Sequence, residues 1–418
     1  MKKIMTAVAT LGLATCLSAP SNAAGFFIQE QSVSGLGASF AGQTAMPRDA
    51  SIIYFNPAGM TYLEGSNGNI GVHVIAPYAD IDDTGSTAPG ARPLGGDSDN
   101  PYDPTPVPNL HYSHQLNDKL WAGVAVTAPF GLGNEYDDGW FGRFDSLKSE
   151  LKTINVQPSV AYKVNDRLSI GGGIDVQYAD AELTSTVFVG AGNEGVSTLE
   201  GDDISYGYNL GMMYDVTDQT RIGLAYRSQV NHKLDGDVSL AGTGVADTTS
   251  GGAANLNLPE MVNFGITHQL DDKTTLLGGV TWFGWSNFER ITAIRDDGTT
   301  ASDVAQNYKN TFAYSLGAEY DYSDEWTFRG GVQYDETPTQ DGFRSTRTPD
   351  GDRIWLSGGA TYNVTDRLSW DFALTYINVS EEDIDLTRAQ PGAGGTSVID
   401  AKSSADIAIG AIGLNYKF

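Results

Sequence analysis

Six short polar turns recur along this chain: Asn117-Asp118-Lys119, Asn165-Asp166-Arg167, Thr217-Asp218-Gln219, Asp271-Asp272-Lys273, Ser323-Asp324-Glu325 and Thr365-Asp366-Arg367, at spacings of 42 to 54 residues. Each lies between two runs in which apolar and polar residues alternate, so each reads as the tight end of a hairpin of long strands. Six hairpins make twelve strands. One further run, from about Gly68 to Tyr78, precedes them and another, from about Ala405 to Phe418, follows, giving fourteen. An even count, short turns at one end and long Gly/Asp/Ser/Thr-rich loops at the other predict an all-β fold, a fourteen-stranded antiparallel transmembrane β-barrel of the outer-membrane type.

The N-terminus supports that address. Lys2 and Lys3, an apolar stretch from Ile4 to Leu17 and then Ser21-Asn22-Ala23 form a secretory leader with a small-x-small cleavage site, so residues 1–23 read as a signal peptide and the mature chain as starting at Ala24. The sole cysteine, Cys16, lies within the leader, so the mature chain carries no thiol chemistry. A lipoprotein reading of Leu13-Ala14-Thr15-Cys16 fits less well than the later cleavage site. No segment offers 18 or more uninterrupted apolar residues, yet an exported chain can still span a membrane if its strands close and satisfy every backbone polar group internally. The formal charge is -27, and losing Lys2 and Lys3 leaves about -29. Acid runs such as Asp97 to Asp103 and Glu381 to Asp385 argue against nucleic acid as a partner and read as solvated external loops. They lack the spacing of an EF-hand calcium loop.

Parity along a strand separates a lipid face from a lumen face. After Arg167, Leu168, Ile170, Ile174, Val176 and Tyr178 share one side and Ser169, Gly171, Gly173, Asp175 and Gln177 the other. The same split recurs in Leu368, Trp370, Phe372, Leu374 and Tyr376, in Tyr206, Tyr208, Leu210, Met212 and Tyr214, and in Ile412, Leu414, Tyr416 and Phe418. A terminal aromatic on the lipid face resembles the signature recognised by the barrel assembly machinery. Parity also turns Arg221, Arg227, Arg329 and Arg353 into the lumen. They are candidates for holding a substrate carboxylate, with ion pairing to inward acids such as Asp175, Asp215, Glu319 and Asp371 as the structural alternative.

Residues 24–66 do not alternate. Small, glycine-rich and apolar, from Ala24-Gly25-Phe26-Phe27-Ile28 through Gly35 to Gly42, they read as a plug inside the lumen of a barrel formed by residues 67–418, since a fourteen-stranded lumen is wider than its own side chains fill. Ala24-Gly25-Phe26, Ser34-Gly35-Leu36-Gly37 and above all Asn56-Pro57-Ala58-Gly59-Met60 resemble the N-terminal hatch of the FadL-type long-chain fatty-acid transporters of Gram-negative outer membranes. Gly142-Arg143-Phe144, Pro158 to Lys163, Leu258-Pro259-Glu260, Trp285-Ser286-Asn287-Phe288 and Pro349 to Ser357 extend the likeness in order along the chain.

The resemblance implies fourteen strands and a passive route in which an apolar ligand is captured at extracellular loops, held inside the barrel and released sideways through a kink in the third strand. In that picture Asn56, Pro57 and Ala58 position the hatch. The third strand here, Trp121 to Gly133, contains Ala128-Pro129-Phe130-Gly131; proline cannot donate to the ladder and glycine marks bends, so pairing should break there. The resemblance places the kink near Phe130 and Gly131; the alternative is that Pro129 only ends the strand. Capture would fall to the loops around Thr184–Glu200 and Gly236–Asn257, with Val187, Phe188, Val189, Leu240 and Val245 as sparse apolar surface.

Other chemistry is set aside. Gly37 to Thr44 mimics a P-loop, but Gln43 stands where its lysine belongs. His111 and His114 are three apart on a strand and point to opposite faces, so they do not chelate together. His111 and Ser113 share a face, which keeps an outer-membrane lipid hydrolase as the alternative from another class, without an orienting partner. The sequence reading is therefore a monomeric channel, not an enzyme, requiring no cofactor. Its partners would be long-chain fatty acids or similar hydrophobic molecules, aromatic hydrocarbons being the close alternative, together with outer-membrane lipid and lipopolysaccharide.

Overall fold

In this computed structural model residues 25–190, 193–244, 246–390 and 395–418 are described; the expected signal peptide (residues 1–23), Ala24 and Val245 fall outside them. The chain forms fourteen antiparallel strands: β1 (Ser66–Asp83), β2 (Thr105–Asn117), β3 (Leu120–Thr127 and Gly131–Glu135), β4 (Lys148–Lys163), β5 (Leu168–Gly190), β6 (Asn193–Asp215) and β7 (Thr220–Arg227 and Val230–Ala241). They continue as β8 (Thr248–Leu258 and Met261–Gln269), β9 (Thr274–Phe283 and Arg290–Arg295), β10 (Thr300–Ala305 and Thr311–Asp321), β11 (Trp326–Asp335), β12 (Arg353–Thr365), β13 (Leu368–Ala389) and β14 (Thr396–Lys417). Each pairs with its neighbours, and β1 pairs with both β2 and β14 from Asn67↔Lys417 to Asp83↔Ala401, which closes the barrel.

All six turns read from the sequence lie at one end, and their first residues show why. The Asn165 carboxamide oxygen accepts the N–H groups of Arg167 and Leu168, both at 2.9 Å, and Asp271 accepts those of Lys273 and Thr274 at 2.9 and 2.8 Å. Thr217 and Thr365 accept the equivalent pairs through their hydroxyls. A short polar side chain that bonds its own backbone two residues on is what starts a tight turn, so Asn, Asp and Thr recur there for a mechanical reason.

The parity reading holds on the outside. Leu374 is 72% exposed, Tyr206 69% and Ile170 45%, with Tyr208, Leu210, Trp370, Phe372, Ile412 and Phe418 also outward. So large a contiguous apolar exterior has lipid, not water, as its solvent. Among the described residues no helix is long and apolar enough to cross a membrane.

Inside, residues 25–65 wind once round the lumen as short helical turns, including Val33–Leu36, Ile52–Phe55 and Pro57–Tyr62. Val33 lies on Gly71 and Gly413, Gly37 on Gly359, Ala38 on Gly331, Thr44 on Gly223, Asn56 on Gly211 and Ala58 on Gly171. A Cβ at Gly331, Gly223 or Gly171 would overlap the backbone of this segment, so these inward glycines are spaces cut into the wall for it.

Candidate functional site

The candidate site combines an interruption in β3, the segment that covers it and a chamber above it. β3 pairs with β2 only from Asn117↔Leu120 to Leu110↔Val126, while its second half, Gly131–Glu135, pairs with β4 alone. The β2–β3 ladder therefore ends at Leu110, while β2 continues its pairing with β1 to Thr105. Buried backbone groups must bond somewhere. At this break they bond to the N-terminal segment: Ile28 N–H donates to the Pro129 carbonyl (2.8 Å), Gly131 N–H to that of Phe26 (2.9 Å), and Gln31 binds both the N–H and the carbonyl of Ala128 (3.1 and 2.9 Å). Thr153 of β4 secures the Phe130 N–H and carbonyl at 2.9 and 2.7 Å. Gly131 faces Ile28, whose Cδ1 would stand 2.7 Å from an added Cβ.

Phe26 joins this break to an aromatic cluster. Its ring meets Trp285 at 4.9 Å and Phe288 at 5.1 Å, both edge-on, with Phe130 at 6.2 Å and Tyr308 at 6.4 Å. Edge-to-face rings of this kind add about 0.5–1.5 kcal/mol per pair beyond area burial. Above the cluster lies a chamber of about 880 Å³, mouth included, lined by Leu132, Leu151, Leu183, Leu199, Leu234, Val238, Leu256 and Ile291 with Phe26 and Phe288 as its floor. A mostly apolar pocket with few polar groups is the form a binding site for an apolar ligand takes.

The charged groups of the lining are Glu150, Glu200, Asp237 and Arg347, with Asn255, Gln306 and Thr348 as its neutral polar side chains. Glu150 is paired with Lys148 at 3.3 Å and with Lys152. Arg347 projects from the 336–352 connection into the chamber wall. It donates to the Lys148 carbonyl and Ser149 hydroxyl, each at 3.1 Å, and to the Thr184 carbonyl at 3.0 Å, and among the described residues it forms no ion pair. Burial lowers its pKa to about 10, with nearby Asp145 acting in the opposite sense, so it remains charged at neutral pH. Asp145 itself is engaged elsewhere, with Arg388 at 2.6 Å and with the Thr346 N–H and hydroxyl at 3.0 and 2.7 Å.

The four arginines singled out by parity stand in ion pairs. Arg221 meets Asp215 at 2.6 Å, Arg227 meets Asp175, Arg329 lies between Glu319 (3.1 Å) and Asp371 (3.4 Å), and Arg353 meets Asp350. None of them lines the chamber. Of the loop residues, Phe188 is buried beside Arg92 and Val187, Val189 and Leu240 are half-buried in the tips of β5 and β7; the chamber takes Leu183 and Leu234 from lower on these strands and its other leucines from β3, β4, β6 and β8. Leu183, Leu199, Leu234 and Val238 were missed because the extended strands carry the inward apolar stripe further than the loop reading allowed. Arg347 was missed because its connection does not alternate and gives parity nothing to read.

Asn56 is fully buried. Its amide donates to the carbonyls of Thr44 (2.8 Å) and Met212 (3.0 Å) and its oxygen accepts the Ala58 N–H (3.1 Å), with Pro57 opening the next turn, so it ties two stretches of the segment to β6. His111 Nδ1 lies 3.0 Å from Asn69 Oδ1 and the ring makes no hydrogen bond with Ser113, while His114 points outward to Ser66 at 2.7 Å.

Residues 14–418 match the family described as outer membrane protein transport protein (OMPP1/FadL/TodX). The chain belongs to the FadL/TodX family. It is 31% identical over 416 residues to the long-chain fatty acid transport protein of Escherichia coli O6:H1, covering 90% of this chain and 92% of that one. To outer membrane protein P1 of Haemophilus influenzae it is 31% identical over 400 residues, covering 85% and 86%. Among solved structures, a Pseudomonas aeruginosa FadL homologue superposes with a TM-score of 0.87 at 25% identity, over 94% of this chain and 100% of that one. The Ralstonia pickettii toluene transporter TbuX shares the fold at a TM-score of 0.67 and 22% identity, over 91% and 98%. This FadL/TodX member is thus an outer-membrane transport protein of a Gram-negative bacterium and not an enzyme.

Proposed function

We propose that the protein passively imports long-chain fatty acids or similar hydrophobic molecules across the outer membrane. The ligand is captured at the extracellular tips of β5 to β8, where Val187, Val189 and Leu240 offer apolar surface, and moves into the chamber. It leaves sideways between β2 and β3. The observation that carries this reading is the position of Phe26: one residue forms the chamber floor and, through its carbonyl, covers the break in β3 at Gly131. A ligand pressing on the floor therefore pushes on the cover. Residues 25–65 act as the hatch, positioned by Asn56, Pro57 and Ala58, and the kink at Pro129-Phe130-Gly131 is the exit.

A lateral exit has a physical reason, because an acyl chain gains about 0.8 kcal/mol per CH₂ by staying out of water and would forfeit this in a polar pore. We assign the head group to Arg347, the one cationic side chain of the chamber lining among the described residues, which forms no ion pair there. Arg221, Arg227, Arg329 and Arg353 then serve the ion pairs of the wall. The test is uptake by a Gly131→Phe variant, whose ring fills the exit against Ile28. Loss of uptake in a correctly inserted barrel supports the lateral path; uptake at the wild-type rate refutes it.

A second reading, an aromatic-hydrocarbon channel, is favoured by one feature. Three carboxylates, Glu150, Glu200 and Asp237, line the chamber beside the single arginine, an environment that accepts a neutral ligand more readily than an anion. Competition between a fatty acid and a neutral hydrocarbon for the purified chamber separates the two readings.

A further inference from the structure

The barrel wall is open in a second place. β8 and β9 pair from Met261↔Phe283 to Gln269↔Thr275 and again from Gly252↔Arg295 to Ala254↔Ala293. Between these ladders, residues 255–259 of β8 and 285–292 of β9 share no backbone hydrogen bond. The seam is filled instead by side chains. On its inner side Leu256, Leu258, Trp285 and Phe288 are buried, and Leu256 and Phe288 line the chamber. On its outer side is a cleft with five amide side chains, Gln229, Asn231, Asn255, Asn257 and Asn287, and Asn255 lines both the cleft and the chamber. The turn Trp285–Asn287 stops the seam. It is held by side-chain bonds, Asn257 Nδ2 to the Asn287 carbonyl (3.3 Å), Asn287 Nδ2 to Gln229 Oε1 (2.7 Å) and Ser286 N–H to Asn310 Oδ1 (2.9 Å), and the buried Trp285 Nε1 has no hydrogen-bond partner among the described residues.

We infer that this seam is a second lateral port, through which a single-chain amphipathic lipid with a small polar head, such as a fatty acid, reaches the chamber from the outer-leaflet level. The cleft lies just above Tyr226 and Trp282 on the outward face, at the edge of the apolar band. Amides donate and accept, so they exchange hydrogen bonds with a carboxyl or hydroxyl head while the acyl chain enters between Leu256 and Phe288. A pure hydrocarbon gains nothing from them. The stopper is also coupled to the exit, because Trp285 and Phe288 contact Phe26 while Trp285 lies 6.3 Å from Phe130. A seam held by side-chain bonds in place of a backbone ladder, with an indole N–H that finds no acceptor, fits a turn that moves.

The inference rests on the import reading above, and the test separates them. In Asn257→Cys/Asn287→Cys, a disulfide would bolt the seam, and with Cys16 confined to the leader no other thiol competes. Oxidation should slow labelled oleate association with, and dissociation from, the purified barrel in phosphatidylcholine vesicles by the same factor, at least tenfold, leaving affinity unchanged and reversing with reductant. Unchanged rates in the fully oxidised variant overturn the port while leaving import standing. If the disulfide does not form, Phe288→Ala decides: removing the inner stopper should raise both rates several-fold, and unchanged rates overturn the port. Absence of oleate binding in wild type would instead defeat the import reading itself.

Discussion

Replacing Arg347 by glutamine gives the sharpest account of what the chamber recognises. The guanidinium is half-buried, charged and bonded to two carbonyls and a hydroxyl, so a ligand carboxylate would meet a fixed donor already partly withdrawn from water. A hydrogen bond to a charged group contributes about 1.5–3 kcal/mol. At 1.4 kcal/mol per decade that is roughly a 10- to 150-fold change in Kd. The assay is equilibrium binding of a long-chain fatty acid and of its methyl ester to the purified barrel in detergent. Wild type should prefer the acid, and Arg347→Gln should abolish that preference while binding the ester nearly as before. If the substitution merely loosened the 336–352 connection, both ligands would weaken together. Equal weakening, or a preserved preference for the acid, refutes the assignment.

Other consequences follow from single contacts. Asn56→Ala removes an amide that bridges Thr44 and Met212 and leaves their buried carbonyls unsatisfied, a cost of about 1–3 kcal/mol; residues 25–65 should become protease-sensitive while the barrel itself stays folded. Glu30 in the hatch is buried, which raises its pKa from 4.5 to about 7 against the opposing pull of backbone N–H groups and Arg353. Because the docked form holds the proton more tightly than the released form, docking is strongest at low pH and weakens as pH rises through about 7, by on the order of 3 kcal/mol. Hatch hydrogen exchange, corrected for intrinsic rate, should therefore rise between pH 5 and 8, and Glu30→Gln should flatten the profile. Leu374→Arg puts a charge on the lipid face between Trp370 and Tyr376 and should destabilise the inserted barrel by about 2–4 kcal/mol in a urea titration from vesicles; no change would contradict the membrane-facing register.

The barrel was legible because its rules are local. A polar residue that bonds its own backbone starts each turn, and period-two alternation fixes which side meets lipid, so fourteen strands and their faces follow from counting. The end of the β2–β3 ladder at Val126 lies just before Pro129, which cannot donate to a ladder. The chamber was not legible. Its floor, Phe26 and Phe288, rests on Phe130 and Tyr308, residues far apart in sequence and joined only when the barrel closes, and Arg347 lies in a connection without periodicity. The four arginines that parity found are inward, but facing a lumen does not distinguish an arginine that pairs with the wall from one left for a ligand. That depends on whether an acid such as Asp175 or Glu319 arrives on the neighbouring strand, a matter of register between strands and not of either strand alone.

The most direct test of the central claim is uptake of a labelled long-chain fatty acid, beside a labelled aromatic hydrocarbon, by cells that lack their own transporter and express this chain. The account predicts chain-dependent fatty-acid uptake that falls to background in Gly131→Phe. Uptake of hydrocarbon alone would remove the carboxylate role from Arg347, and uptake of neither by an inserted barrel would contradict the import reading.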